Sequence, residues 1–131
     1  MRRGARIAVV CCLLVAASGC RTAPDAARGA STSPSRTPSE VLSRFLDAAE
    51  AGDFDAAYQM MAGSWRARYT PERLKEDFDR EPLAKERLAR ARAALKTAPA
   101  MRDGLAEFPI GDGKAVRLVR EDGGFRVMSL E

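Results

Sequence analysis

The stretch LAEFPIGDGKAVRLVREDGGFRVMSL, residues 105–130, decides the fold class. It alternates short apolar-rich runs with glycine breaks: Leu105 to Ile110, then Gly111-Asp112-Gly113, Lys114 to Glu121, then Asp122-Gly123-Gly124, and finally Phe125 to Leu130. Runs of this length between Asp-Gly steps predict three strands, for which an antiparallel meander is the simplest connection. Alternation turns Val116, Leu118, Phe125 and Val127 toward a core, and Arg117, Arg120 and Arg126 toward water or an edge. Pro109 has no backbone N–H to give to a neighbour, so the first strand is expected at a sheet edge.

Upstream the apolar spacing becomes helical. Thr37-Pro38-Ser39-Glu40 reads as a capping box with proline at the first helical position. Val41, Leu42, Phe45, Leu46 and Ala49 then share one face, and Gly52 can end the helix in a left-handed turn. Asp53 reads as the next cap, with Phe54, Ala57, Tyr58 and Met61 at helical spacing before Gly63 stops the run. Thr70-Pro71-Glu72 opens a third helix carrying Leu74 and Phe78. From Pro82 to about Lys96 the chain is rich in Ala, Arg and Glu, with Leu83, Leu88, Ala91 and Leu95 as its apolar residues. Glu81 with Lys85 and Glu86 with Arg90 have the spacing of i,i+4 ion pairs. A solvated helix over the core is the plain reading of this segment, and a partner-binding helix the sharper one. Helices followed by an antiparallel sheet give an α+β class: N-terminal helices packed on a short C-terminal antiparallel sheet, in one domain of residues 38–131.

Composition narrows the chemistry. The 131 residues hold 22 Lys plus Arg against 18 Asp plus Glu, a formal charge of +4, yet only 6% are aromatic. That is thin for a base-stacking platform, and no nucleic-acid partner is expected. The absence of histidine removes the usual neutral-pH base and the commonest metal ligand, and three cysteines cannot form a four-thiolate zinc site. No metal or cofactor is expected. Asp53 and Asp55, or Asp77, Asp79 and Glu81, lack the glycine and terminal Glu of a calcium loop and read as caps and solvated acids. Trp65, Tyr58 and Arg66 form a candidate ligand rim, against the plainer reading of Trp65 as a core anchor and Tyr58 as packing. Met60, Met61 and Met101 read as adaptable packing.

Residues 1–19 have the pattern of an export signal. Arg2, Arg3 and Arg6 precede an eleven-residue uncharged run, Ile7 to Ala17. At about 1.5 Å per residue such a run spans about half of a 30 Å hydrocarbon core, which suits a signal peptide rather than a permanent span. Arg2-Arg3 also invites a twin-arginine route, although Met1 and Gly4 do not continue that pattern. Ala16-Ala17-Ser18-Gly19-Cys20 resembles the lipobox of bacterial lipoproteins. The resemblance implies cleavage before Cys20, a diacylglyceryl thioether on Cys20, and recognition of Ala17, Ser18 and Gly19 by the signal peptidase; Ala17 stands where Leu is commoner. The partners implied are lipoprotein-processing enzymes, the membrane through acyl chains on Cys20, and an envelope protein partner. An ordinary secretory signal with a nearby cysteine, releasing an unanchored domain, is the alternative.

Cys11 and Cys12 lie in the signal, so a chain beginning at Cys20 keeps one cysteine and no disulfide. Cleavage would also leave 19 basic against 18 acidic side chains, so most of the excess charge belongs to the signal. In enterobacterial lipoproteins Asp after the cysteine marks inner-membrane retention. Arg21 therefore leans toward the outer membrane in a diderm source, and otherwise the outer face of the plasma membrane is expected. Residues 20–37 form a lipidated cysteine and an Ala/Ser/Thr/Pro linker that, as a coil, spans about 20–25 Å. A partner-binding or glycosylated Ser/Thr segment is the other reading.

The runs PSEVLSRFLDAAEAGDFDAAYQMM, 38–61, SWRARYTPERL, 64–74, and VRLVREDGGFRVMSL, 116–130, resemble the opening helices and closing strands of small lipoproteins with a nuclear transport factor 2-like, ketosteroid isomerase-like cone. The resemblance rests on the Gly52-Asp53 step, on Ala56, Ala57 and Tyr58, and on Phe125 where Trp is often found. It implies a truncated cone, since about three strands are legible and the family's cone has four or more. Catalytic relatives use pocket Asp, Tyr or His, and no catalytic residue carries over to this chain. A non-catalytic binding or structural accessory domain is therefore expected. The alternative is a degenerate cone-fold enzyme or carrier acting on a small apolar ligand, which a deep concavity lined by Asp, Tyr or Arg would favour.

Overall fold

The computed structural model describes residues 35–131. The export signal with Ala17, Ser18, Gly19 and Cys20, and the linker as far as residue 34, lie outside the described residues.

Among the described residues five helices precede four strands: α1 (Pro38–Glu50), α2 (Phe54–Gln59), α3 (Gly63–Arg66), α4 (Pro71–Arg80), α5 (Ala84–Ala94), β1 (Ala100–Arg102), β2 (Leu105–Gly111), β3 (Lys114–Glu121) and β4 (Gly124–Ser129). The strands form one antiparallel sheet in the order β1-β2-β3-β4, with the helices packed against it, so the α+β class holds.

Local chemistry sets the helix ends. The Glu40 amide donates to Thr37 Oγ1 at 3.3 Å and the Thr37 amide donates to Glu40 Oε2 at 2.8 Å, completing the capping box. The Thr37 N–H holds the Glu40 carboxyl below its ordinary pKa, with the Thr37 hydroxyl helping. At the far end Gly52 has φ +76°, and the amides of Gly52 and Asp53 donate to the carbonyls of Ala49 and Ala48 at 3.2 and 2.8 Å. These two bonds are a Schellman closure. Asp53 then caps α2, its Oδ1 accepting from the Ala56 amide at 3.0 Å.

α2 ends at Gln59, earlier than its spacing predicts. The Val127 amide donates to the Met60 carbonyl and the Ala62 amide to the Val127 carbonyl, both at 2.8 Å, so the chain joins the free edge of β4 as a parallel bridge at Met61. Those bonds replace a further helical turn. Gly63 accordingly opens α3 instead of ending α2, and its amide donates to Glu121 Oε2 at 2.9 Å.

The sheet has four strands where three were expected. Its three hairpins share one device: Asp103-Gly104, Asp112-Gly113 and Asp122-Gly123 all have positive φ at both residues, the type I′ geometry that suits two-residue hairpins. Because β1 pairs with β2, Pro109 does not sit on an edge strand. The pairing stops at Ala100 opposite Glu107, however, so Pro109 lies beyond the end of β1 and its missing N–H costs no ladder bond there.

The core lies between the sheet and the layer formed by α1 and α5. Leu42, Phe45 and Leu46 of α1 meet Phe108, Val116 and Leu118, all under 2% exposed. α5 turns Ala84, Leu88, Ala91 and Ala94 inward, a mostly small face that permits close approach. Leu83, one of the four apolar residues of this segment, is 53% exposed because the helix begins one residue after it. The same late start leaves Glu81 outside α5, and it pairs with Arg87 at 3.3 Å instead of Lys85; Glu86 and Arg90 pair as expected. Arg92 ties α5 to α1, reaching Asp47 at 2.7 Å and Glu50 at 2.8 Å. On the sheet's outer side Arg117 pairs with its cross-strand partner Glu107 at 2.9 Å. Arg126 folds back over the edge to donate to the Gln59 carbonyl at 2.8 Å. Among the described residues no helix is long and apolar enough to cross a membrane.

Candidate functional site

The middle of the helix-facing sheet surface is filled by Phe45, Phe108 and Leu118. At its β4 margin the packing opens into a recess of about 590 Å³. Phe45 and Met61 form part of its floor with Val127. Trp65 of α3 and Tyr69 just after it form one wall, their ring centroids 5.1 Å apart at 35°, an offset aromatic pair. Leu74, Asp77 and Phe78 of α4 add a second wall, and the chain from Met128 to Glu131 closes a third side. The spacing i, i+3, i+4 places Leu74, Asp77 and Phe78 on one face of α4. Phe78 is steadied from behind by Phe54 of α2, with ring centroids 5.4 Å apart.

The charged groups of the recess divide into paired and unpaired. Arg87 reaches Glu81 at 3.3 Å and Glu131 at 2.9 Å, so its charge is taken up by two carboxylates. Arg80 turns to Glu76 at 3.5 Å, in an exposed pair. Among the described residues, no lysine or arginine stands within ion-pairing distance of Asp77, which is half-buried. The neighbouring Tyr69 phenol is pushed above its ordinary pKa, first by burial and then by a hydrogen bond to, and the charge of, Asp77.

Of the three residues read as a ligand rim, Trp65 lines the recess, while Tyr58 and Arg66 are not among its lining residues. The Tyr58 hydroxyl donates to the Arg66 carbonyl at 2.9 Å and thereby clamps α2 to α3. Asp77, grouped in sequence with the capping and solvated acids Asp79 and Glu81, instead lines the recess, and its place on the face shared by Leu74 and Phe78 is the signal for it. Among the described residues, no three acidic or cysteine side chains are grouped to hold a metal ion.

No family model, curated protein or solved structure matches this chain. The recess is a mostly apolar, aromatic-walled concavity whose lining also holds Asp77, Tyr69, Arg80 and Arg87, the kind of surface that takes a small ligand.

Proposed function

We propose that this protein is a lipid-anchored component of the bacterial cell envelope whose α+β domain, a relative of the nuclear transport factor 2-like cone, binds a ligand or partner without catalysing a reaction. The recess of about 590 Å³ carries the binding half of this reading, because its walls are mostly apolar and aromatic. The sequence from Arg2 to Cys20 carries the anchoring half. Two or three acyl chains on Cys20, at about 0.8 kcal/mol per buried methylene, would hold the domain at a membrane where one chain would not. The linker would then let the recess work within tens of ångströms of the lipid surface. Asp77 beside Tyr69 favours a second reading, a degenerate cone-fold enzyme or carrier acting on a small apolar ligand.

Palmitate labelling in a bacterial host tests the anchor. The parent chain is expected to take up label and fractionate with membranes, whereas Cys20→Ala takes up none. An unlabelled parent chain would refute anchoring and leave a secreted domain.

A further inference from the structure

We propose that the recess takes an amphipathic organic cation: an alkylammonium whose apolar body lies along the aromatic wall and whose positive head meets Asp77. This inference rests on reading the recess as a binding site. The chain has eight aromatic residues, and four of them, Phe45, Trp65, Tyr69 and Phe78, line this one concavity. Aromatic faces carry partial negative charge and attract cations, most strongly where water is excluded. Asp77 supplies a negative charge at the same wall, with no lysine or arginine within ion-pairing distance among the described residues, although Arg73, one turn earlier on α4, is near enough to act on Tyr69.

The other ligand classes fit less well. A carboxylate or phosphate would meet Asp77 with like charge, and of the two arginines in the lining Arg87 is already bridged to Glu81 and Glu131 and Arg80 is turned to Glu76. A neutral apolar ligand would fill the walls but remove water from the Asp77 carboxylate without replacing it. An ammonium head satisfies the carboxylate and the rings together. The volume of about 590 Å³ suits a small molecule.

Trp65 is the only tryptophan in the chain and stands in the wall, so its emission reports occupancy directly. The full chain in maltoside detergent is titrated with hexyltrimethylammonium, hexanol and hexanoate, and with dihexanoylphosphatidylcholine below its micellar concentration. A saturable change with hexyltrimethylammonium is expected at a Kd at least fivefold below those for hexanol and hexanoate. The phosphatidylcholine arm separates sources: tighter binding there assigns the ammonium to a lipid head group, weaker binding to a free alkylammonium. Asp77→Asn should weaken the cation about tenfold and leave hexanol unchanged. Should that variant fail to fold, Asp77→Ser carries the same expectation, and the ranking of probes on the parent chain decides alone. Equal binding of cation and hexanol, or a cation affinity indifferent to Asp77→Asn, overturns the cation assignment while the recess stands as a binding site. No response to any probe in a chain that still melts cooperatively overturns the recess itself.

Discussion

Asp77 is the residue on which the site turns, and its neighbour Tyr69 gives a way to read it. Burial and the Asp77 carboxylate raise the Tyr69 pKa above its ordinary value near 10. The sign follows from linkage: a phenol whose folded pKa lies above its unfolded one contributes stability that is complete below about pH 10 and is lost as pH rises through the folded value. Absorbance titration of the phenolates is therefore expected to show one tyrosine ionising later in the folded chain than in urea. Asp77→Asn should move that ionisation down part of the way, since burial, the larger cause, remains. A titration indifferent to Asp77→Asn would separate the two residues. At the far end of α1, Gly52 holds φ +76° with open space where a side chain would go, so strain alone opposes substitution there. Gly52→Ala is expected to cost about 1 kcal/mol, measured by urea denaturation. Loss of the Asp53 cap in Asp53→Ala is expected to cost a similar amount, about 1 kcal/mol.

At the scale of elements, α5 makes the sharpest distinction between residues alike in sequence. Leu88 faces the core and is 6% exposed, whereas Leu83 precedes the helix and is 53% exposed. Leu88→Ala is expected to destabilise by about 3 kcal/mol and Leu83→Ala by less than about 0.5 kcal/mol, compared through denaturation midpoints. Equal effects would contradict the placement of α5.

Helix starts were legible wherever a side chain could accept from the first turn, as at Thr37, Asp53 and Thr70. Strands β2 to β4 were legible because Gly-Asp-Gly and Asp-Gly-Gly punctuate them. β1 was not, because three exposed residues, Ala100 to Arg102, show no alternation; only the turn pair Asp103-Gly104 announced it. The early end of α2 was illegible for a different reason. It is decided by backbone bonds from Met60 and Ala62 to Val127, some 65 residues away in the chain, and no local pattern encodes a partner so distant. The recess shares this non-local origin, since Phe45, Trp65, Asp77 and Val127 come together only once the sheet and helices pack. Of these, only Trp65 is legible in the sequence as a ligand-rim residue; Phe45 and Val127 read as core and Asp77 as a capping or solvated acid.

On the proposed reading the whole molecule joins an N-terminal export and anchoring signal to a ligand-binding domain. The charge of +4 is mostly the property of a segment expected to be removed, and the domain that remains is nearly neutral, without histidine or disulfide. Its stability then rests on the core between the sheet and the α1–α5 layer, and the recess is the place where that core is left unfilled. Methyl NMR of the full chain, with hexanol or hexyltrimethylammonium added, tests this most directly. The account predicts shifts concentrated on Met61, Leu74 and Leu130, which line the recess, with Val116 and Leu118 of the closed core unmoved. Shifts elsewhere on the surface, or none at saturating probe, would contradict it.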